Sequence, residues 1–220
     1  MNKNIVIIGN TEHADTMYQY IVNTGYGKVV AFSVNRQYIG DAELFGLPVV
    51  ALEELPDLYP PEQVDLIMGV GYVKAGDVKA RLFTTLTEQG YTFRNYIHPS
   101  ALIAENVQLG SGNNILEGVI LEAGVKLQDG NLLFGGSMIA HDTEVGSFNT
   151  LSVKAVVAGC SKVMNHCFVG ANATVRDHVT IKDYALVGAA VYADRDLEEY
   201  SVLAAQKSVL LSGKKSTDFL

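Results

Sequence analysis

From Ile97 onward every sixth residue is aliphatic: Ile97, Ile103, Leu109, Ile115, Leu121, Leu127, Leu133, Ile139, Val145, Leu151, Val157, Val163, Val169, Val175, Ile181 and Val187. The residue four places further on is small or Val, as at Ala101, Val107, Asn113, Ser137, Thr143, Ala155, Ser161 and Ala173. A period of six is neither the two of a strand nor the 3.6 of a helix. It predicts a parallel β-helix built of hexapeptides, each forming one flat side, with three sides to a coil. Each aliphatic residue then points inward and stacks on its counterpart eighteen positions on, with coils ~4.8 Å apart. The small residue lets the chain turn sharply at the corner, and Gly110, Gly146, Gly170 and Gly188 follow aliphatic positions directly.

Before residue 95 the pattern alternates strand-like and helix-like stretches. Ile5 to Ile8 is a continuous apolar run ending at Gly9, as in a buried parallel strand. Met17, Tyr20 and Ile21 give the stretch from Ala14 to Val22 a helical face, closed by Gly25. Val29 to Phe32 and Asp65 to Gly71 predict further strands, and Val49-Val50 precedes a short helix start at Leu52 to Leu55. Val78 to Gln89 predicts a helix with Leu82, Phe83 and Leu86 on one face, stopped by Gly90. Alternating strands and helices imply a small α/β domain with a parallel sheet. The organisation expected is therefore residues 1–95 as an α/β domain, 96–192 as a β-helix, and 193–220 as a polar tail that breaks the period and caps the open end. Outward apolar residues such as Leu116, Ile120, Phe134 and Val153 predict side faces that other copies of the chain cover.

Composition narrows the function. The chain of 220 residues is 48% hydrophobic and 18% charged, enough for a real core. Its net charge of −8 has no basic stripe to offset it, which argues against a nucleic-acid partner. No apolar run reaches the ~18–20 residues of a membrane helix, and the start lacks a secretory signal, so a cytoplasmic location is expected. Cys160 and Cys167 make no disulfide framework and are expected to be small, reduced residues of the repeat.

The hexapeptide run behind a small α/β domain, joined through Tyr96-Ile97-His98-Pro99-Ser100-Ala101, resembles the bacterial sugar acyltransferases of the PglD/NeuD type, as does the segment Ile139 to Gly146. The resemblance covers nearly the whole chain. It implies a left-handed β-helix, a Rossmann-like N-terminal domain that binds a sugar or nucleotide, and a homotrimer. It also implies acetyl-CoA as co-substrate, no metal, and transfer of an acetyl group to an amino or hydroxyl group of a sugar for surface polysaccharide or glycan assembly.

Acyl transfer needs a base for the incoming nucleophile, stabilisation of the oxyanion, and both substrates held together. Of His13, His98, His141, His166 and His178, the resemblance assigns the base to His141. Asp142 is then its orienting acid, and the Gly159 N–H, one coil further, meets the thioester carbonyl. His166 and His178 are expected to be solvated turn residues, and His98 structural. Asp177 and Ala189 would line the coenzyme groove. Thr150 stands where the family often has a second histidine. Lys207, in Leu203-Ala204-Ala205-Gln206-Lys207, stands in a stretch that lacks the family's Gly and Pro and would meet a coenzyme phosphate.

In the N-terminal domain the turn Gly9-Asn10-Thr11-Glu12-His13 precedes a helix start suited to phosphate. Glu12 replaces a family glycine, Val34-Asn35-Arg36 replaces the usual acid after the second strand, and Gly71-Tyr72 replaces Gly-Asp-Asn. Gly9, Asn10, Thr11, His13, Asn35, Arg36, Gly71 and Tyr72 are thus the expected acceptor-binding residues. Two other readings remain beside this one. A zinc enzyme of the same fold needs three convergent histidines, which the spacings of His141, His166 and His178 do not supply. A non-catalytic trimeric binding or scaffold protein would keep the fold with an altered site.

Overall fold

The computed structural model of the chain describes residues 3–72 and 76–208, with Ser212, Lys215 and Thr217. The N-terminal part is an α/β domain. Its elements run β1 (Asn4–Ile8), α1 (Glu12–Asn23), β2 (Val29–Val34), β3 (Glu43–Leu44), β4 (Leu47–Ala51), α2 (Leu55–Leu58), β5 (Val64–Met68) and α3 (Asp77–Glu88). The sheet order is β3-β4-β2-β1-β5, parallel except for the antiparallel β3 at the edge. Four parallel strands are fewer than the six of a full dinucleotide-binding sheet. Ile5 to Ile8 are buried on both faces of the sheet, which accounts for the unbroken apolar run. The chain builds outward from β1 through β2 to β4, then returns to the far side of β1 as β5. This reversal opens a crevice at the carboxyl ends of β1 and β5, the place where such sheets take ligands.

The remainder is a parallel β-helix of two-residue strands in three sheets. Registers advance by the eighteen residues the period requires: Leu121 pairs with Ile139, Ile139 with Val157, and Val157 with Val175. All sixteen aliphatic positions join one core, with Ile97, Ile103 and Leu109 only partly buried at the first coil. These stacked parallel sheets fit the left-handed β-helix the resemblance implies. The coils also continue past residue 192. A shortened final coil places Leu197 beside Ile181 and Val202–Leu203 beside Leu186–Val187, so the first part of the expected capping tail is itself a coil. Of that tail, residues 209–211, 213, 214, 216 and 218–220 lie outside the described residues.

Two further regularities hold the prism. At one corner Asn95, Asn113, Asn131 and Asn149 stack in a ladder. Each side-chain Oδ1 accepts the backbone N–H one coil on, at 2.8 Å from Asn113, 2.8 Å from Asn131, 2.9 Å from Asn149 and 2.7 Å from Cys167. Buried side-chain amides thus satisfy corner N–H groups that the sheet ladders miss. The second regularity is a left-handed residue at successive corners from Gly112 onward. Glycine fills it from Gly112 to Gly136, and from Asp142 onward other residues do, among them Asp142 (φ 54°) and Cys160 (φ 57°). Cys160 therefore lies on the outer turn and is exposed, whereas Cys167 occupies the small-residue slot and is buried. Burial pushes the Cys167 thiol up to about 12.

The three faces differ. The first carries Gln108, Lys126, Glu144 and Lys162 outward, with Lys126 Nζ 2.9 Å and Lys162 Nζ 3.6 Å from the Glu144 carboxylate. The second carries Leu102, Ile120, Met138, Val156 and Tyr192 outward, and Leu102 and Tyr192 are exposed. The third is covered by the α/β domain. There Tyr96, Leu116 and Leu132 share a core with Ile5, Met17 and Phe32, and Phe134 packs against it. Leu116 and Phe134 are thus covered by the chain's own first domain, not by another copy as their outward placement suggested. Among the outward apolar side chains, Leu102, Val153, Tyr192 and Val202 stay exposed, and Ile120 is half-buried. His166 also departs from its expectation as a solvated residue: it stacks on Tyr184 at 4.6 Å and lies 5.5 Å from Phe148.

Candidate active site

His141 and Asp142 sit at the corner between the polar and the apolar face, just after the strand Met138–Ile139. Adjacent residues of an extended strand point to opposite sides, so a pair needs a bend. The left-handed φ of Asp142 supplies it and brings its Oδ2 to 3.1 Å from His141 Nδ1. Aspartate is one of the few side chains that adopt this conformation readily. Glu122, one coil back, accepts the His141 backbone N–H at 2.9 Å. Gly124 leaves room for the Asp142 carboxylate, since a Cβ there would lie 2.4 Å from Oδ1.

Gly159 does the same for the imidazole. A Cβ on Gly159 would lie 2.6 Å from His141 Nε2 and 2.7 Å from Cε1, so the ring rests directly over the bare glycine one coil on. The Gly159 N–H donates to no group among the described residues. The imidazole and the Asp142 carboxylate are both largely solvent-exposed. Beside them is an open hollow of about 550 Å³, lined by Leu102, Ala104, Ile120, Glu122, Ala123 and His141. With Nδ1 facing a carboxylate, the Nε2 lone pair is left to take a proton.

The other residues expected at the catalytic centre are spread over the prism. Asp177 stands on the same corner as His141 two coils on, exposed, 3.9 Å from His178 Nε2. Ala189 is on the corner between the apolar and the docked face, and Lys207 is exposed beyond the last coil. Thr150 lies buried on the docked face, in a pocket of about 220 Å³ with Tyr72, Phe148, His166, Phe168 and Tyr184. Within one chain, the docked face is the one opposite the His141 corner.

The residues expected to bind the acceptor do come together, along the carboxyl edge of β1, β2 and β5. Gly9 and Gly69 cross so closely that a Cβ on Gly9 would meet the Gly69 carbonyl oxygen at 2.7 Å. Asn10 donates to the Tyr38 carbonyl at 2.8 Å, tying the Gly9 turn to the loop after Asn35. Thr11 caps α1 without a side-chain bond, leaving N–H groups of the first turn open. Arg36 is engaged: its guanidinium donates to Glu54 at 2.6 Å. Gly71 adjoins the His13 side chain, and Tyr72 tilts against Phe168 at 5.4 Å.

Two residues that sequence reasoning passed over complete this crevice. Asn114, outward on the docked face, donates to the Met68 carbonyl at 2.7 Å and lies 3.3 Å from His13 Nε2, and its own Oδ1 is buried without a partner among the described residues. Lys79 is 1% exposed and donates to the Gly130 carbonyl at 3.3 Å. Burial lowers it to about 7, and burial followed by the Lys79 charge lowers His13 to about 4. Lys79 precedes Leu82, Phe83 and Leu86 by three, four and seven residues, so the helical face already pointed to its burial.

No protein-family model matches the chain. Among solved structures it is similar to PerB from Caulobacter crescentus, in complex with CoA and GDP-perosamine. Identity is 27% over 92% of this chain and 94% of that one, with a TM-score of 0.82. A variant of perosamine N-acetyltransferase from the same organism matches at 26% identity and TM-score 0.83, over 92% of this chain and 93% of that one. The acetyltransferase domain of PglB from Neisseria gonorrhoeae FA1090, in complex with acetyl coenzyme A, has the same fold, with a TM-score of 0.83. Its identity is 20% over 93% of this chain and 97% of that one. These neighbours agree with the resemblance to PglD/NeuD-type acyltransferases.

Proposed function

We propose that this chain is an acyltransferase that moves the acetyl group of acetyl-CoA to an amino or hydroxyl group of a nucleotide-linked sugar. One observation carries the reading: an exposed imidazole held by a carboxylate on one nitrogen and seated over a bare glycine on the other side. The similarity to PerB, whose structure contains CoA and GDP-perosamine, supports acetyl-CoA as co-substrate and a nucleotide sugar as acceptor.

His141 Nε2 takes the proton of the acceptor as its nitrogen or oxygen attacks the thioester carbonyl. Asp142 holds the tautomer and stabilises the imidazolium that forms. The Gly159 N–H meets the oxyanion, and the imidazolium returns its proton to the departing CoA thiolate. Asp177, Ala189, Thr150 and Lys207 line the path of the coenzyme. Gly9, Asn10, Thr11, His13, Asn35, Arg36, Gly71 and Tyr72 hold the acceptor in the crevice of the α/β domain, which this reading takes as Rossmann-like.

The working unit in this reading is a homotrimer. The crevice opens toward the docked face, while His141 stands on the corner opposite, so the acceptor held by one subunit reaches the base of another. The apolar face with Leu102, Ile120 and Met138 is the surface available to bury between copies. No helix among the described residues is long and apolar enough to cross a membrane. We assign the enzyme to the cytoplasm, in surface polysaccharide or glycan assembly.

The test is His141→Ala assayed with acetyl-CoA and a panel of nucleotide-linked amino sugars. Turnover is expected to fall at least ~10²-fold, as when a general base is removed, with CoA binding and assembly unchanged. Undiminished turnover would refute the assignment. Absence of transfer and of CoA binding in the unmodified protein would favour the scaffold reading.

A further inference from the structure

Cys160 has no part in that chemistry, yet it stands beside it. It lies eighteen residues after Asp142, at the same left-handed corner position one coil on. One ligand atom each from His141, Asp142 and Cys160 falls within 4.8 Å of the other two. The scaffold fixes this arrangement: the Cys160 N–H donates to the His141 carbonyl at 2.9 Å, and the Asp142 N–H to the Ala123 carbonyl at 3.0 Å. Bond lengths of about 2.0–2.3 Å around a tetrahedral zinc ion put its ligand atoms about 3.3–3.7 Å apart. The His141–Asp142 pair, at 3.1 Å, lies just inside that spacing and needs only to open slightly. Both side chains are exposed, so small rotations complete the closure with Cys160.

We propose that this corner is a binding site for a borderline-soft divalent cation of the zinc class, and that the bound ion switches the enzyme off. An imidazole, a carboxylate and a thiolate form a donor set that suits zinc and cobalt(II) and not magnesium or calcium. Three protein ligands leave a fourth position for water. Binding forms bonds to nitrogen, oxygen and sulfur, displaces water from the ion and releases the Cys160 thiol proton to solvent. No oxidation or reduction is involved.

The inhibition follows from counting lone pairs. A neutral imidazole has one basic nitrogen. If the ion takes Nε2, that lone pair is occupied. If it takes Nδ1, the ring proton moves to Nε2, which then has no lone pair to offer. Either way His141 stops acting as a base. This consequence rests on the acyltransferase reading, whereas the binding itself does not.

The full chain, purified under reducing conditions and stripped of metal, is titrated with Co(II) and Zn(II). One equivalent per chain is expected, with a thiolate-to-cobalt charge-transfer band that zinc abolishes. Cys160→Ser is expected to lose the band and weaken zinc binding more than ~10-fold, the scale on which disrupted metal sites lose affinity. In the transfer assay zinc is expected to inhibit and a chelator to reverse it. Cys160→Ser should keep its turnover and resist inhibition. Absence of uptake, or uptake without the thiolate band, would overturn the site. Equal inhibition of wild type and Cys160→Ser would overturn the switch. If the protein shows no transfer activity, the cobalt spectrum still decides the site, so the two readings fail separately.

Discussion

Gly159→Ala tests the site's geometry with one methyl group. The new Cβ would stand 2.6 Å from His141 Nε2, against 3.4 Å for the start of ordinary contact, so the imidazole must retreat by about 0.8 Å. The backbone does not resist the change, because Gly159 is not among the positive-φ glycines and its N–H is retained. The perturbation is therefore confined to the position of the base. A misplacement of ~1 Å costs on the order of 10²-fold in rate, or about 2.7 kcal/mol of barrier. We expect kcat to fall ~10- to 100-fold, with CoA affinity and melting temperature close to wild type. The measurement is steady-state CoA release with acceptor present, beside calorimetric CoA binding and a melting curve. A double-mutant cycle sharpens it: in a His141→Ala background, Gly159→Ala should cost nothing further, since the group it displaces is gone. An unchanged kcat in the single variant would refute the placement of the productive imidazole over Gly159. Fully additive losses in the cycle would mean that Gly159 acts on something other than His141.

Three more expectations follow from the structure. Co-expression of His141→Ala with Asn114→Leu, each inactive alone, should restore transfer through mixed assemblies, because crevice and base come from different subunits. Mixed assemblies as inactive as their parents would refute the shared site. Asn131→Ala removes the acceptor of the Asn149 N–H and the amide bonds to the Gln128 and Gly146 carbonyls. It should destabilise the chain by ~2–4 kcal/mol, and a loss below ~1 kcal/mol in urea unfolding would show that the ladder contributes little. His13, held at about 4 in the fold, binds its proton more readily in the unfolded chain between pH 4 and 6.5. Stability should therefore fall as pH drops through that window, by about 3 kcal/mol for this residue. His13→Gln should flatten that limb of the pH–stability curve, and an unaltered limb would refute the buried neutral imidazole.

The amino-acid sequence alone determined the β-helix, and it did so through a local rule. A side chain that recurs every six residues can be buried only if hexads form flat sides and coils stack at eighteen, so Ile97 to Val187 prescribe pairing, core and repeat together. The same rule placed Gly159 directly over the row of His141, and the alternation before residue 95 prescribed a parallel sheet. The ladder of Asn113, Asn131 and Asn149 was also present at spacing eighteen, although its hydrogen bonds become visible only when the coils are stacked.

What the repeat leaves open is which face meets which neighbour, because hexads are interchangeable by pattern. Only the tertiary structure decided that the α/β domain covers the face of Tyr96, Asn114 and Leu132. That choice buries Leu116 and packs Phe134 against the domain, leaves Leu102 and Tyr192 exposed, and puts Thr150 on the opposite side of the prism from His141. It also decided the effect of Lys79 on His13, since the helical face turns Lys79 inward but only the coil of Gly130 closes over it. The bend that joins His141 to Asp142, and the approach of Cys160 to both, belong to this second class. A left-handed corner residue carries no periodic signature once glycine gives way to other residues, and its side chain acquires neighbours only from the coils above and below it.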